Sequence, residues 1–317
     1  MMKRREITGS GLDVSRYCLG TMYFGTKVSE RESFQLLDLY ADRGGNFLDC
    51  ANKYASWVPG FAGGESERVV GKWMKHRRRE EWILTSKVGF AYGTIPKTLS
   101  ARVIISECEK SLKRLGTDHI DLYFAHSQDP LTPVEESMEA FHQLVTSGKV
   151  RSIGASNHDV LRLAESNRTA QHLGLESFTV LQQRYTLLQP YVGADFGTQY
   201  ILTPEQESYC RSAGITLMAY SPLLGGVYGE ASPTLPVQYD NSHNRKILEI
   251  IRKYAEESGY SPMQLVLAGI SEFRDIIPIV AASSESHLAE SLSIPSSEVV
   301  SRMMEEIDAL DTFRIKY

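Results

Sequence analysis

The sequence predicts an α/β chain folded as a single (β/α)8 barrel, with an N-terminal β-hairpin cap and an extra helix before the last strand. Three observations carry the prediction. Eight short β-branched runs alternate with helical patterns through the 317 residues. No linker or shift in composition divides the chain, so residues 1–317 are expected to form one domain. No Gly-x-Gly-x-x-Gly follows the first strand, where an open dinucleotide-binding sheet would place it.

The elements follow in order. A hairpin runs from Glu6 to Ser15 and turns at Gly9-Ser10-Gly11. Strands are expected at 16–20, 46–50, 82–87, 120–126, 150–155, 179–182, 215–220 and 276–280. Helices between them have recognisable starts. Ser29-x-x-Glu32 reads as a capping box, and Thr132-Pro133-x-Glu135 and Thr203-Pro204-x-Gln206 add proline at the first helical position. Gly116, Gly148 and Gly174 read as helix stops. Insertions at 225–244 and 259–261 supply a long loop and the extra helix.

Composition narrows the partners. The chain is 42% hydrophobic and 23% charged, with a formal net charge of -5. That balance gives no electrostatic reason to expect nucleic acid or an anionic membrane. No run approaches the roughly 18 apolar residues of a membrane span. The basic start, Met1 to Glu6, leads into no apolar core of the kind a signal peptide needs. Cys18, Cys50, Cys108 and Cys210 are widely separated, so neither a disulfide framework nor a zinc site is expected. A reducing, cytoplasmic setting is. No His or Cys pair has metal-ligand spacing; His126 and Asp129 come nearest, and no metal is expected. His119, His142, His158 and His172 read as helix-surface or loop residues. Lys75-His76-Arg77-Arg78-Arg79 reads as a solvated helix C-terminus.

In such a barrel the C-terminal strand ends build the active site. Strand parity puts Phe47 with Asp49, Ile83 with Thr85 and Lys87, and Leu122 with Phe124 and His126. It likewise pairs Gly154 with Ser156, Val180 with Gln182, and Met218 with Tyr220. Six strands begin apolar on that face and finish with a hydrogen-bonding side chain, which places one polar site at the barrel mouth. Asp49, Tyr54, Lys87 and His126 suit proton transfer. A phenol beside an ammonium can protonate a developing alkoxide, and an imidazole can hold a carbonyl oxygen. Lys87 is expected to favour the phenolate, with Asp49 holding Lys87 in place. The set has no hydride of its own, so redox chemistry needs a cofactor.

These residues sit in motifs that resemble the aldo-keto reductase superfamily over nearly the whole chain. They are Gly45-Asn46-Phe47-Leu48-Asp49-x-Ala51-x-x-Tyr54, Leu112-x-Arg114-Leu115-Gly116-x-Asp118-x-Ile120-Asp121-Leu122-Tyr123 followed by His126, Gly148-Lys149-Val150-Arg151-x-Ile153-Gly154-x-Ser156-Asn157, and Ala219-Tyr220-Ser221-Pro222-Leu223. The resemblance implies a barrel that binds a nicotinamide dinucleotide and interconverts an aldehyde, ketone or sugar carbonyl with its alcohol. Tyr54 would be the proton donor, tuned by Lys87 and Asp49, with His126 orienting the carbonyl. Ser156, Asn157 and Gln182 would hold the carboxamide, beside Asp49, and Tyr220 would stack on the nicotinamide. Gly20, Thr21, Met22, Ser221, Leu223 and Gly225 would contact ribose and pyrophosphate.

The departures carry information. Cys50 and Ala55 replace a small hydroxyl residue and a glycine. Beyond the eighth strand the family commonly sets Lys or Arg against the 2′-phosphate of NADP. Here Ala281, Ser283, Ser284 and His287 stand there, with Glu290 at the place of the adenine-contacting acid. The cofactor is NAD(H) or NADP(H), with NAD(H) favoured because no guanidinium is offered. A short C-terminal tail, 311–317, implies an open pocket. Tyr23, Trp57 and Ser127 are expected to contact substrate, with Phe24, Phe90 and Tyr92 nearby. Two other readings stand beside this one: a Schiff-base aldolase using Lys87, and a cofactor-binding regulatory subunit. A start almost at the hairpin speaks against the second.

Overall fold

The computed structural model describes residues 2–229 and 234–310. Strands β1 (Arg4–Ile7) and β2 (Leu12–Ser15) form the antiparallel hairpin, with Ile7 opposite Leu12. Its turn is held by Ser10, whose N–H and Oγ both donate to the Ile7 carbonyl.

Eight further strands form the barrel: β3 (Cys18–Gly20), β4 (Phe47–Asp49), β5 (Ile83–Val88), β6 (Ile120–Ala125), β7 (Val150–Ser156), β8 (Val180–Arg184), β9 (Thr216–Tyr220) and β10 (Ile277–Val280). Each overlaps one of the expected runs, with β5, β7 and β8 running one or two residues past its end. All neighbours are parallel, and the sheet closes in the order β10-β3-β4-β5-β6-β7-β8-β9.

The helices are α1 (Glu30–Asp42), α2 (Glu65–Met74), α3 (Ala101–Leu115), α4 (Val134–Thr146), α5 (Val160–Leu173), α6 (Pro204–Ala213), α7 (Ser242–Ser258), α8 (Pro262–Ala268), α9 (Glu285–Ser291) and α10 (Ser297–Ala309). Because α7 and α8 both lie between β9 and β10, α7 is the extra helix. The expected insertion 225–244 includes 230–233, which lie outside the described residues, as does the tail 311–317. Capping boxes at Ser29–Glu32 and Thr203–Gln206 form as read. Thr132 does not cap α4. Pro133 takes the N-cap position, and the Thr132 hydroxyl bonds to Asp129 instead, at 2.5 Å. A carboxylate close in sequence outbid the helix end for that hydroxyl.

Parity inside the barrel is as expected. Phe47, Ile83, Leu122, Phe124, Val180 and Met218 pack with Cys18, Ile277 and Ile279 in one interior cluster, and Ile7, Leu12 and Val14 of the hairpin join it. The hairpin therefore plugs the N-terminal end, leaving the C-terminal end as the polar mouth. Gly154 is part of this packing: a Cβ there would stand 2.5 Å from the Phe124 ring. The basic cluster resolves into structure at the opposite end. Arg77 pairs with Asp38 and Arg78 with Glu81, while Arg79 reaches the fully buried Asp121 at 2.6 Å. His158 lies in the loop between β7 and α5, as expected. It is buried, its ring meets the Ser156 carbonyl, and its own carbonyl accepts from Gln183 and Gln206.

Candidate active site

Asp49 ends β4 and Lys87 stands near the end of β5, both facing inward and both buried. The three N–H bonds of Lys87 are all committed: to Asp49 Oδ2 at 2.7 Å, to the Cys50 carbonyl at 2.8 Å and to Tyr54 Oη at 2.8 Å. Tyr54 in turn donates to Asp49 Oδ2 at 2.8 Å. The other carboxylate oxygen accepts from Gln182 Nε2 at 2.9 Å and Thr85 Oγ1 at 3.3 Å. Asp49 is thus the hub that four side chains share.

His126 follows β6. Its ring stands edge-on to Tyr54 at 6.0 Å and to Phe90 at 4.8 Å, and its Nδ1 is buried without a hydrogen-bond partner among the described residues. Burial, then the charges of Lys87 and Lys53, push its pKa well below the ordinary imidazole value. The ring is neutral at pH 7, with one N–H to offer a carbonyl oxygen. Burial first, and then the Asp49 charge and hydrogen bond, push the Tyr54 phenol well up. Lys87, donating to Tyr54 Oη at 2.8 Å, favours the phenolate, but burial and Asp49 outweigh it. Asp49 is as close to Tyr54 Oη as the ammonium is, so Tyr54 keeps its proton.

The backbone is strained at the same mouth. Five non-glycine residues have positive φ among the described residues, and four of them lie in loops that follow the C-terminal strand ends: Ala55 (79°), Asn157 (54°), Ser221 (55°) and Leu224 (48°). Such conformations persist where surroundings over-determine them, and they concentrate at working sites.

The expected cofactor residues meet unevenly. Ser156 lies across from Gln182 in the β7–β8 register, so the two stand side by side at the mouth. Tyr220 packs against the interior cluster, with its hydroxyl donating to Asn157 Oδ1 at 2.7 Å. The Asn157 amide is already spent inside the protein. Its Nδ2 donates to the His126 carbonyl and to Ser156 Oγ, and its Oδ1 also accepts from the Tyr200 N–H. Thr21 is similar: fully buried, with its hydroxyl bonded to the Asp49 carbonyl and to Ser66. Gly20 packs closely on Ile279, and Met22 is half-buried. Ser221, Leu223 and Gly225 occupy the loop after β9. Beyond β10, Ala281, Ser283 and His287 are exposed, Glu290 is half-buried, and Ser284 caps α9. No Lys or Arg lies between 281 and 290.

On the substrate side, Trp57 is exposed and stands edge-on to Tyr54 at 6.3 Å, while Tyr23 is half-buried. Ser127 is buried, with its hydroxyl donating to the Gln128 carbonyl at 3.5 Å. Phe24 is likewise buried. Tyr92 turns to Glu107, a buried carboxylate on α3 that also accepts from Asn52 at 2.9 Å. Sequence reasoning did not find this tie between the Tyr54 loop, the Phe90 loop and α3. Its partners lie 55 and 15 residues from one another, with no spacing to reveal them. It also passed over Lys53, whose only signal was its position directly before Tyr54. Among the described residues no group of His, Cys, Asp and Glu could hold a metal ion, and no helix is long and apolar enough to cross a membrane.

A closed barrel with this mouth defines a class. The Aldo/keto reductase family model matches residues 16–312, and the chain belongs to that family of nicotinamide-dependent oxidoreductases. Among its relatives is the uncharacterized oxidoreductase YrpG of Bacillus subtilis, 37% identical over 69% of this chain and 66% of the relative. Norsolorinic acid reductase stcV of Emericella nidulans is 34% identical over 70% of this chain and 57% of that enzyme. These two matches therefore span less than two thirds of either relative's length. The crystal structure of the thermostable aldo-keto reductase Tm1743, in complex with the inhibitor epalrestat, superposes with a TM-score of 0.75 at 27% identity. It covers 98% of this chain and 100% of that one.

Proposed function

We propose that this chain is a cytoplasmic carbonyl reductase, one barrel domain that interconverts an aldehyde, ketone or sugar carbonyl with its alcohol. The observation that carries this reading is the buried hydrogen-bonded set Asp49–Lys87–Tyr54 beside a neutral His126. The dinucleotide, when bound, supplies or accepts the hydride. The protein does the rest. His126 donates to the carbonyl oxygen and orients it. Tyr54, kept protonated by burial and Asp49, transfers its proton to the oxygen as negative charge develops there. Lys87, donating to Tyr54 Oη, then stabilises the phenolate left behind.

The side chains fit a carboxamide-bearing ligand in part. Ser156 and Gln182 retain hydrogen-bonding capacity and Tyr220 offers a ring face, whereas Asn157 acts by holding these groups in place. The lack of Lys and Arg across 281–290 favours NAD(H), against a family that mostly uses NADP(H). The aldolase reading loses ground on one point. A Lys87 with three N–H donors committed has no lone pair for attack on a carbonyl. The test is absorbance at the reduced nicotinamide band with NADH and NADPH in parallel, against aldehydes, ketones, sugars and polyols. Oxidation of either dinucleotide dependent on a carbonyl supports the reading. None with any carbonyl refutes it, and a strong preference for NADPH refutes the NAD(H) assignment.

A further inference from the structure

Lys53 sits directly before Tyr54, and its Nζ lies 4.3 Å from the centroid of the Phe90 ring. Phe90 is the ring that packs edge-on against His126. The ammonium therefore stands one aromatic ring away from the imidazole expected to hold the carbonyl. It is half-buried, burial lowers its pKa, and it has no carboxylate partner among the described residues. Its charge is nevertheless felt at His126. On the other aromatic wall, Lys27 lies over Tyr23 at 4.7 Å, so the second cation placed there has the same sign. A partly desolvated ammonium that, among the described residues, meets a ring face and no carboxylate gains most from an anionic partner, because charge-assisted hydrogen bonds are stronger than cation–π contacts.

We propose that Lys53 is a specificity residue, and that the preferred substrates carry an anionic group, carboxylate-like, about one benzene ring from the reacting carbonyl. The proposal rests on the carbonyl-reducing function above. Aromatic walls at Phe90 and Trp57 would flank the spacer between the two groups, and the ammonium would receive the anion at its far end.

The probes are 4-formylbenzoate and its neutral methyl ester, titrated into the protein with NAD⁺ or NADP⁺ present so that neither is reduced, and turnover is then followed separately with NADH or NADPH. Tryptophan emission is followed, since Trp57 borders Tyr54. In the parent protein the benzoate is expected to bind roughly tenfold tighter than the ester, an advantage that shrinks with added salt. The ratio should fall to about one in Lys53→Met, drop below one in Lys53→Glu and persist in Lys53→Arg. A ratio unchanged across the variants overturns the proposal. Turnover separates the two ideas. If neither aldehyde is reduced while the binding ratio follows Lys53, the reductase reading fails and the anion site stands.

Discussion

Lys87→Met makes the sharpest test of the buried charge cluster. The side chain is fully buried and its ammonium contacts Asp49, the Cys50 carbonyl and Tyr54 within 2.8 Å. Breaking a buried pair by removing one partner costs about 3–5 kcal/mol, because the other charge stays behind uncompensated. Asp49 keeps its hydrogen bonds from Gln182, Thr85 and Tyr54, which places the cost near the lower end, about 3 kcal/mol. For a chain of this length the unfolding entropy is roughly 0.7 kcal/mol/K, so the thermal midpoint should fall by about 4–5 °C. The double variant Lys87→Met/Asp49→Leu removes both charges. Replacing both members with apolar groups is often close to neutral, so its midpoint should lie within about 2 °C of the parent. Neither variant should turn over, which separates the stability effect from the chemistry. Scanning calorimetry on the parent, both single variants and the double decides the matter. A double variant that loses the sum of its singles would show that the two residues do not act as a pair, and the reasoning would fall.

Two further outcomes follow from the same packing and electrostatics. Gly154→Ala drives a methyl group into the Phe124 ring at 2.5 Å inside the closed barrel, and should cost about 1–3 kcal/mol in urea unfolding, with relief in Gly154→Ala/Phe124→Leu; an alanine variant as stable as the parent refutes the close packing. Burial holds His158 at a pKa of about 4 and His126 well below the ordinary value, so the unfolded chain binds more protons as pH falls through about 6.5. Stability should therefore drop from pH 7 towards pH 4, and His158→Gln should flatten that slope; an unaltered slope refutes the contribution of His158.

Much of the barrel is legible in the sequence because its physics is local. Alternation along each strand decides which side chains face inward, and the last inward residue of a strand must lie at the mouth. That is why Asp49, Lys87, Ser156, Gln182 and Tyr220 could be gathered from five separate runs without a structure. What escaped depends on partners distant in the chain. Asn157 reads as a ligand-facing amide until Tyr220, 63 residues on, is seen to hold its Oδ1. His158 is the loop histidine it looks like, but it is buried and Gln183 and Gln206 converge on its carbonyl. The balance of charges at Tyr54, the expected proton donor, needs distances as well as residue types. Residue types name both an ammonium and a carboxylate near the phenol, and only the equal 2.8 Å contacts, combined with burial, decide that the proton stays.

The central claim is that Tyr54 delivers the proton, and Tyr54→Phe tests it most directly. The ring and its packing against Trp57 and His126 survive that change, while the single oxygen shared by Lys87 and Asp49 is lost. Dinucleotide affinity, read by fluorescence titration, should stay within about twofold of the parent, while carbonyl-dependent oxidation of the dinucleotide falls by about 10²–10⁴-fold. Turnover at the parent rate with intact dinucleotide binding would contradict the account.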